Sequence, residues 1–492
     1  MAAGLGISFA GSLDGLGVCV AGLGVSGPPA ARVLAAHGAL VTAVDSRDDD
    51  ERRALADKLA GIGVRVLLGA QAAATVPPGT ELVVTSPGWQ PDAPLLAAAA
   101  ASGIDVIGDV ELAWRLRPVL ASGGRQQWLA VTGTNGKTTT VRMLAHMLSA
   151  AGYRAVAAGN VGTSLADIVA EPDPYDVVAV ELSSFQLHWS STIRPLAAVV
   201  LNIAAHHLDW HGTFEAYTAD KAKIFAPGTI AIGNADDERS ARLAVAAGET
   251  GRASRVAFFR LGEPGPGELG VAGGLLADRA FAGAPGARLA VLADVCGADE
   301  TLRARPPAPH KVADALAAAA LARAYGAPAE AISAGLLAFR PEPHRITLVR
   351  NVAGVDYVDD SKATNPHAAA ASLAAYEAVV WVAGGLLKGA EEDLDQVVAA
   401  VAARLRGAVL IGADRDKIAA ALRRHAPEVP VVEVSRTDTG VMDFVVNAAA
   451  ELAGPGDTVL LAPAAQSFDM FRDYPARGDA FAAAVGRLAA EQ

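Results

Sequence analysis

The sequence predicts an α/β protein of three domains: an N-terminal Rossmann-like domain, a central domain with a mostly parallel sheet, and a C-terminal doubly wound, Rossmann-like domain. Short β-branched runs alternate with Ala- and Leu-rich stretches at helical spacing along most of the chain, which is the pattern of βαβ units. Glycine-rich turns follow strand-like runs at residues 22–27, 132–139 and 383–389, where a parallel sheet presents the C-terminal ends of its strands. The length, 492 residues, accommodates about three domains of roughly 100–200 residues each.

Composition narrows the class. Hydrophobic residues make up 52% and charged residues 19%, enough for packed cores and unlike a disordered or collagenous chain. Lys and Arg total 41 against 53 for Asp and Glu, a net charge of −12. Without basic runs, that balance excludes nucleic acid and anionic membrane as main partners, so any anionic ligand needs locally built positive sites. Cys19 and Cys296 are far apart in apolar stretches and read as reduced, buried thiols. The first cationic side chain is Arg32, leaving the start without the charged region of a signal peptide. No apolar run reaches the ~18–20 residues of a membrane span. The expectation is a soluble, cytoplasmic monomer.

The elements follow in order. The first domain, residues 1–124, opens on a strand at 17–21, with a second at 39–44 ending before Asp45. Ala121-Ser122-Gly123-Gly124-Arg125 reads as a linker. The central domain, 125–340, starts with a strand at 128–131, a helix from Thr140 and an apolar run at 177–180 that ends on Glu181. Its Gly/Pro-rich stretch 251–285 is expected to form hairpins or loops at the edge of the central sheet. Phe339-Arg340-Pro341-Glu342-Pro343 stops a helix. The third domain, 341–492, has five apolar runs at 355–358, 378–383, 408–411, 431–434 and 458–462.

Three glycine loops carry candidate chemistry. Gly22-Leu23-Gly24-Val25-Ser26-Gly27 follows a strand and opens a helix, with Asp45 at the end of the next strand. Such a loop lets a diphosphate approach backbone amides at a helix N-terminus. It matches a dinucleotide fingerprint, yet the same loop serves any nucleotide diphosphate or a plain tight turn. Thr132-Gly133-Thr134-Asn135-Gly136-Lys137-Thr138-Thr139 has the G-K-T core of a P-loop, with Val131 in place of the usual first glycine. Its amides would cradle phosphates, Lys137 would reach the β/γ-phosphates and Thr138 would ligate Mg²⁺, which makes the central domain a P-loop ATPase. The third loop, Ala383-Gly384-Gly385-Leu386-Leu387-Lys388-Gly389, is equally a turn or a ligand site.

Further strings follow along nearly the whole chain: Gly159-Asn160-Val161-Gly162, Glu181-Leu182-Ser183-Ser184-Phe185-Gln186-Leu187, His207-Leu208-Asp209-Trp210-His211 and Lys221. Pro343-His344-Arg345, Asp359-Asp360-Ser361-Lys362-Ala363-Thr364-Asn365 and Ser467-Phe468-Asp469-Met470-Phe471 complete the set. Together with the P-loop they resemble the Mur ligase family, which includes folylpolyglutamate synthases, and most closely its D-glutamate-adding branch. The resemblance implies an ATP-dependent ligase of peptidoglycan precursor synthesis. The carboxylate of UDP-N-acetylmuramoyl-L-alanine attacks ATP to give an acyl phosphate, and the D-glutamate amine displaces phosphate.

The resemblance also distributes the residues. Lys137, Glu181, His207, Lys221 and Asn160 become the catalytic set. Thr138 and Glu181 would hold a first Mg²⁺; His207 and Lys221, the latter as a CO₂-derived carbamate, would hold a second. Gly133, Thr134, Asn135, Gly136, Lys137, Thr138, Thr139, Asp314, Arg345 and Asp360 would bind ATP. The UDP substrate, rather than NAD, would contact Gly22, Gly24, Ser26, Asp45, Ser46, Arg47, Ser86, Asn160, Ser183 and Gln186. Lys362, Thr364, Ser467, Phe468 and Tyr474 would form the D-glutamate pocket.

Three positions depart from the family pattern. His206, after Ala205, stands where the family usually has Asp beside the histidine ligand, a change that would alter metal affinity. Lys311 in His310-Lys311-Val312-Ala313-Asp314 stands where an asparagine would offer a base edge both donor and acceptor. Tyr474 stands where Phe is common. From the residues alone, an NAD-dependent oxidoreductase and a nucleotide-binding relative with impaired turnover stay open as alternatives. So do Mur-type ligases with another amino-acid specificity.

Overall fold

The computed structural model describes residues 13–283, 285–298, 303, 304, 306–340, 343–387, 391–436 and 440–491. Among them the strands form three sheets. The first holds β1 (Gly17–Ala21), β2 (Leu40–Asp45), β3 (Arg65–Leu68), β4 (Leu82–Thr85) and β5 (Asp105–Gly108), in the order β3-β2-β1-β4-β5 and parallel throughout. Period-2 burial on both faces explains it. Val18, Val20 and Val84 pack with Leu34 on one side; Cys19, Val44 and Val83 pack with Leu95 on the other. Burial pushes the Cys19 thiol up to about 12, so it is inert, and Cys296 is also free.

The central sheet holds β6 (Gln127–Thr132), β7 (Ala155–Gly159), β8 (Val177–Glu181), β9 (Ala197–Val200), β10 (Thr229–Asn234), β11 (Ala253–Phe259), β12 (Glu268–Ala272), β13 (Leu275–Asp278) and β14 (Ala287–Val291). Their order is β14-β13-β12-β11-β10-β9-β6-β8-β7. The sheet is parallel from β7 to β12 and ends in antiparallel pairs β12/β13 and β13/β14. The Gly/Pro-rich stretch thus supplies edge hairpins, and its first strand, β11, joins the parallel part. Leu129 and Val131 pack against Leu144 on one face, while Trp128 and Ala130 pack on the other.

The third sheet holds β15 (Thr347–Val352), β16 (Val355–Asp359), β17 (Val379–Gly384), β18 (Leu405–Ile411), β19 (Val431–Glu433) and β20 (Thr458–Leu461), in the order β15-β16-β20-β17-β18-β19. Only β15/β16 is antiparallel. Helices cover both faces, with Val382 on one side and Trp381 on the other.

The chain divides into two compact units. One comprises residues 1–203, 207–307 and 311–339 and carries both the first and the central sheet; the other comprises 204–206, 308–310 and 340–492. The stretch 121–125 is a tight turn closed by Leu120 N to Gly124 O at 2.7 Å and a Val119/Arg125 bridge, rather than an open linker. One further local expectation is corrected. The helix after the second glycine loop starts at Lys137, not Thr140, because the loop closes directly into its first turn. Ser467–Phe471 forms a turn, with Phe471 N donating to Ser467 O at 2.8 Å. Among the described residues no helix is long and apolar enough to cross a membrane.

Candidate active site

The ends of β1, β2 and β4 converge on the first glycine loop. Gly22 has φ +96°, and a Cβ there would lie 2.7 Å from Trp89 Nε1 and 2.9 Å from Ser86 Oγ. A Cβ at Gly27 would strike Gly22 O at 1.8 Å. Gly24 differs: its φ is ordinary and nothing lies within 4 Å of a Cβ built on it. The turn requires the outer glycines sterically, whereas the middle one leaves open room beside backbone amides. Asp45 holds this shape, accepting from Leu23 N at 2.7 Å and Arg47 N at 2.9 Å, with Arg52 Nε 3.4 Å away. Ser86 Oγ donates to Gly22 O at 3.3 Å. Ser46 and Arg47 are exposed, and the Arg47 guanidinium lies 2.6 Å from Asp49 Oδ2.

The second loop joins β6 to the helix Lys137–Ala150, whose N-terminal dipole end faces it. Gly133 (φ +156°) and Gly136 (φ +86°) allow the turn, and a Cβ at Gly136 would meet Asp314 Oδ1 at 2.2 Å. Lys137 Nζ folds over the loop, donating to Gly133 O at 3.0 Å and Thr134 O at 2.9 Å. Asn202, past the end of β9, accepts at Oδ1 from Thr134 N (3.1 Å) and Asn135 N (2.9 Å), and its Nδ2 donates to Asn135 O at 3.2 Å. No sequence signal singles out Asn202; it acts across 67 residues of chain.

Glu181 closes the site from β8. Thr138 Oγ1 donates to its Oε2 at 2.8 Å, and Asn160 Nδ2 donates to its Oε1 at 3.1 Å. Thr138, Asn160 and Glu181 are therefore assembled by the three strand ends β6, β7 and β8. Lys221, 2% exposed, comes to the same place from the helix Phe214–Ala222: its Nζ donates to Gly133 O at 2.8 Å and Thr132 Oγ1 at 3.2 Å. Burial, and secondarily the Lys137 charge, hold this amine well below the usual lysine range, with Glu181 opposing. Tyr217, beside it, is pushed up to about 12 by burial and shares a 3.0 Å hydrogen bond with Thr134 Oγ1.

His207 sits in the left-handed region (φ +56°), its ring centroid 4.7 Å from that of Phe185, a backbone placement often found at functional sites. Behind it lies a scaffold that the motifs do not reveal. Asp220 receives His188 Nδ1 at 2.9 Å, His211 Nδ1 at 3.1 Å and Lys223 Nζ at 2.8 Å, and His211 Nε2 meets Ser184 Oγ at 2.9 Å. Ser183 and Gln186 form a reciprocal capping box on the helix Ser184–His188.

In the second unit, Lys362 Nζ donates to Tyr474 Oη at 3.0 Å, so these two expected pocket residues meet. Ser361 Oγ donates to Tyr474 O at 2.8 Å, and Arg477, 1% exposed, donates to Ser361 Oγ at 3.0 Å and to Ala465 O at 3.1 Å. Arg477 fastens the Asp359–Asn365 stretch to the Ala465 turn, and desolvation lowers its pKa to about 10. Thr364 N bonds to Lys362 O; Ser467 is buried and Phe468 is 64% exposed. Asp360 is turned inward onto Ser372, and burial pushes its carboxyl up to about 7 against the pull of Ser372 and Arg345. Gly384 and Gly385 are required by backbone, since a Cβ would meet Ile411 O at 1.9 Å or Gln466 O at 2.0 Å. Lys388 and Gly389 of that loop, and Pro341 and Glu342, lie outside the described residues.

Comparison with known proteins follows the same three sheets. The Mur ligase MurD-like N-terminal domain matches residues 17–108, the Mur ligase middle domain 131–262, and the Mur ligase glutamate ligase domain 344–465. The UDP-N-acetylmuramoylalanine–D-glutamate ligase of Thermobifida fusca is 58% identical over 482 residues, covering 97% of this chain and 99% of that one. The chain belongs to the Mur ligase family. The ligase of the same name from Streptomyces avermitilis is 57% identical over 478 residues, again covering 97% and 99%. The pseudomurein peptide ligase type C of Methanothermus fervidus has the same fold, with a TM-score of 0.58 over 96% of this chain and 100% of that one at 16% identity. As a Mur ligase the chain is an α/β enzyme, and the Thr138–Glu181–Asn160 group beside its phosphate loop is its candidate reaction centre.

Proposed function

We propose that the chain joins D-glutamate to UDP-N-acetylmuramoyl-L-alanine at the expense of ATP, as a cytoplasmic monomer in peptidoglycan precursor synthesis. The observation that carries this reading is the 58% identity, over nearly full length, to a relative of that name. The division of labour is residues 1–124 for the UDP handle, 125–340 for ATP and 341–492 for D-glutamate. A substrate carboxylate oxygen attacks the γ-phosphorus and ADP leaves. The D-glutamate amine then attacks the acyl carbon, loses a proton, and phosphate leaves with the carboxylate oxygen it acquired.

Neither step needs a nucleophilic side chain; both need neutralised charge and held geometry. Lys137 supplies a cation at the β/γ-phosphates once it exchanges its loop carbonyls for phosphate oxygens. The loop amides, which Asn202 preshapes, hold the phosphates. Thr138 Oγ1 and Glu181 Oε2 are hard oxygen donors suited to Mg²⁺. Among the described residues no group of three His, Cys, Asp or Glu side chains could hold a metal ion, so phosphate and water oxygens would fill the rest of its shell. Bound there, Mg²⁺ would neutralise charge on the transferring phosphoryl group.

His207 and Lys221 would hold a second cation, with Lys221 as a carbamate. Its suppressed pKa supplies the free amine this requires: the Nζ lone pair bonds to CO₂ carbon and one amine proton is released. Lys362, with Tyr474 and Thr364, would hold a D-glutamate carboxylate. Ser467 and Phe468 would border that pocket. The family resemblance assigns Arg345 and Asp360 to ATP binding. With ATP, Mg²⁺, UDP-N-acetylmuramoyl-L-alanine and D-glutamate, purified protein should release phosphate, and omitting D-glutamate should abolish the release. Equal release with and without D-glutamate would sink the reading.

A further inference from the structure

Gly108, at the end of β5, and Glu111, just beyond it, stitch the first sheet to the central one. Gly108 N donates to Trp189 O at 2.9 Å, and a Cβ at Gly108 would lie 2.9 Å from Trp189 Cβ. Glu111, fully buried, accepts from Ser191 N and Thr192 N at 3.0 Å each and pairs with Arg115 at 2.8 Å. Asp109 lies between these two ties, at the start of the helix Asp109–Leu116. Its Oδ1 is buried and has no hydrogen-bond partner. Burial pushes the carboxyl up to about 6, and the Ser26 hydroxyl, the Gln186 amide and the nearby backbone amides pull the other way without closing a bond on Oδ1.

A fold that buries a carboxylate oxygen without a protein partner needs a reason, because such an acceptor is costly. The flanking groups supply one. Ser26 comes from the first glycine loop and Gln186 from the capping box on the central sheet, and both are assigned to the UDP substrate above. Phosphate oxygens offer only acceptors and negative charge to a carboxylate. An amino sugar offers O–H and N–H donors.

We propose that Asp109 is a specificity residue that accepts a hydrogen bond from a hydroxyl or the acetamido N–H of the substrate's amino sugar. This rests on the reading of the first loop as the site of a UDP-sugar. It adds a contact made by the sugar rather than by the nucleotide.

Calorimetric titration of the full chain with UDP and with UDP-N-acetylmuramoyl-L-alanine tests it. Asp109→Leu should weaken the full substrate about tenfold or more and leave UDP and the KM for ATP within about twofold. Asp109→Asn, which keeps an acceptor oxygen, should recover part of the loss. Where the Leu variant fails to melt cooperatively, Asp109→Asn alone decides, with an expected loss of about threefold for the full substrate only. Unchanged affinity for the full substrate, or an equal loss for UDP, would overturn the assignment. A folded wild-type chain that binds no UDP-N-acetylmuramoyl-L-alanine would instead count against the proposed function itself.

Discussion

Gly24→Ala separates a ligand loop from a mere turn. The new methyl meets nothing within 4 Å, and the backbone at Gly24 is not in the left-handed region. The folded state therefore gains no clash, while the unfolded chain loses freedom, which stabilises by about 0.4–1 kcal/mol. The same methyl fills the space through which a diphosphate would reach the loop amides. Losing one charge-assisted contact of about 1.5–3 kcal/mol weakens binding roughly 10- to 150-fold. Thermal melting paired with calorimetric titration of UDP measures both quantities on one sample. The expected result is a melting temperature equal to or above wild type with UDP affinity at least tenfold weaker. Gly27→Ala, whose Cβ would lie 1.8 Å from Gly22 O, should lose stability as well as binding. UDP affinity within twofold of wild type in a stable Gly24→Ala chain would refute the reasoning and leave the loop as a tight turn.

Lys137→Ala should abolish turnover while leaving UDP affinity unchanged, measured by phosphate release and calorimetry. Lys362→Ala removes the cation 3.0 Å from Tyr474 Oη and should raise the KM for D-glutamate at least tenfold with the KM for ATP within about twofold; equal rises in both would contradict the pocket. The Asp109 carboxyl has a folded pKa of about 6 against 3.8 unfolded, so the folded chain binds more protons between about pH 4 and 6 and this group costs stability as pH rises through that window. Asp109→Asn should consequently be more stable than wild type by up to about 3 kcal/mol at pH 7.5, with the difference vanishing near pH 4 in denaturant melts. A constant difference across that range would contradict the assigned burial.

The sheets were legible because both-face burial writes continuous apolar runs, and β1 begins and ends where the runs predict. Boundaries shifted by one to three residues where backbone geometry, not hydrophobicity, sets the end. Lys137 opens a helix because the loop turns straight into it, and Ser467–Phe471 stays a turn on backbone bonds that no pattern announces. Local motifs carried Lys137, Thr138 and Glu181. Lys221 looks like any helical lysine; its burial beneath Gly133 O is a tertiary fact. Asn202, Arg477, Asp220 and Asp109 were missed for the same reason, since each acts on a segment brought near by the fold rather than by spacing.

Transfer of oxygen tests the central account most directly. UDP-N-acetylmuramoyl-L-alanine labelled with ¹⁸O in its carboxylate should, in the presence of ATP, Mg²⁺ and D-glutamate, yield the amide together with phosphate carrying one ¹⁸O atom. Amide formed alongside unlabelled phosphate would contradict the acyl-phosphate route, and labelled substrate recovered intact while ATP is hydrolysed would contradict the ligase activity.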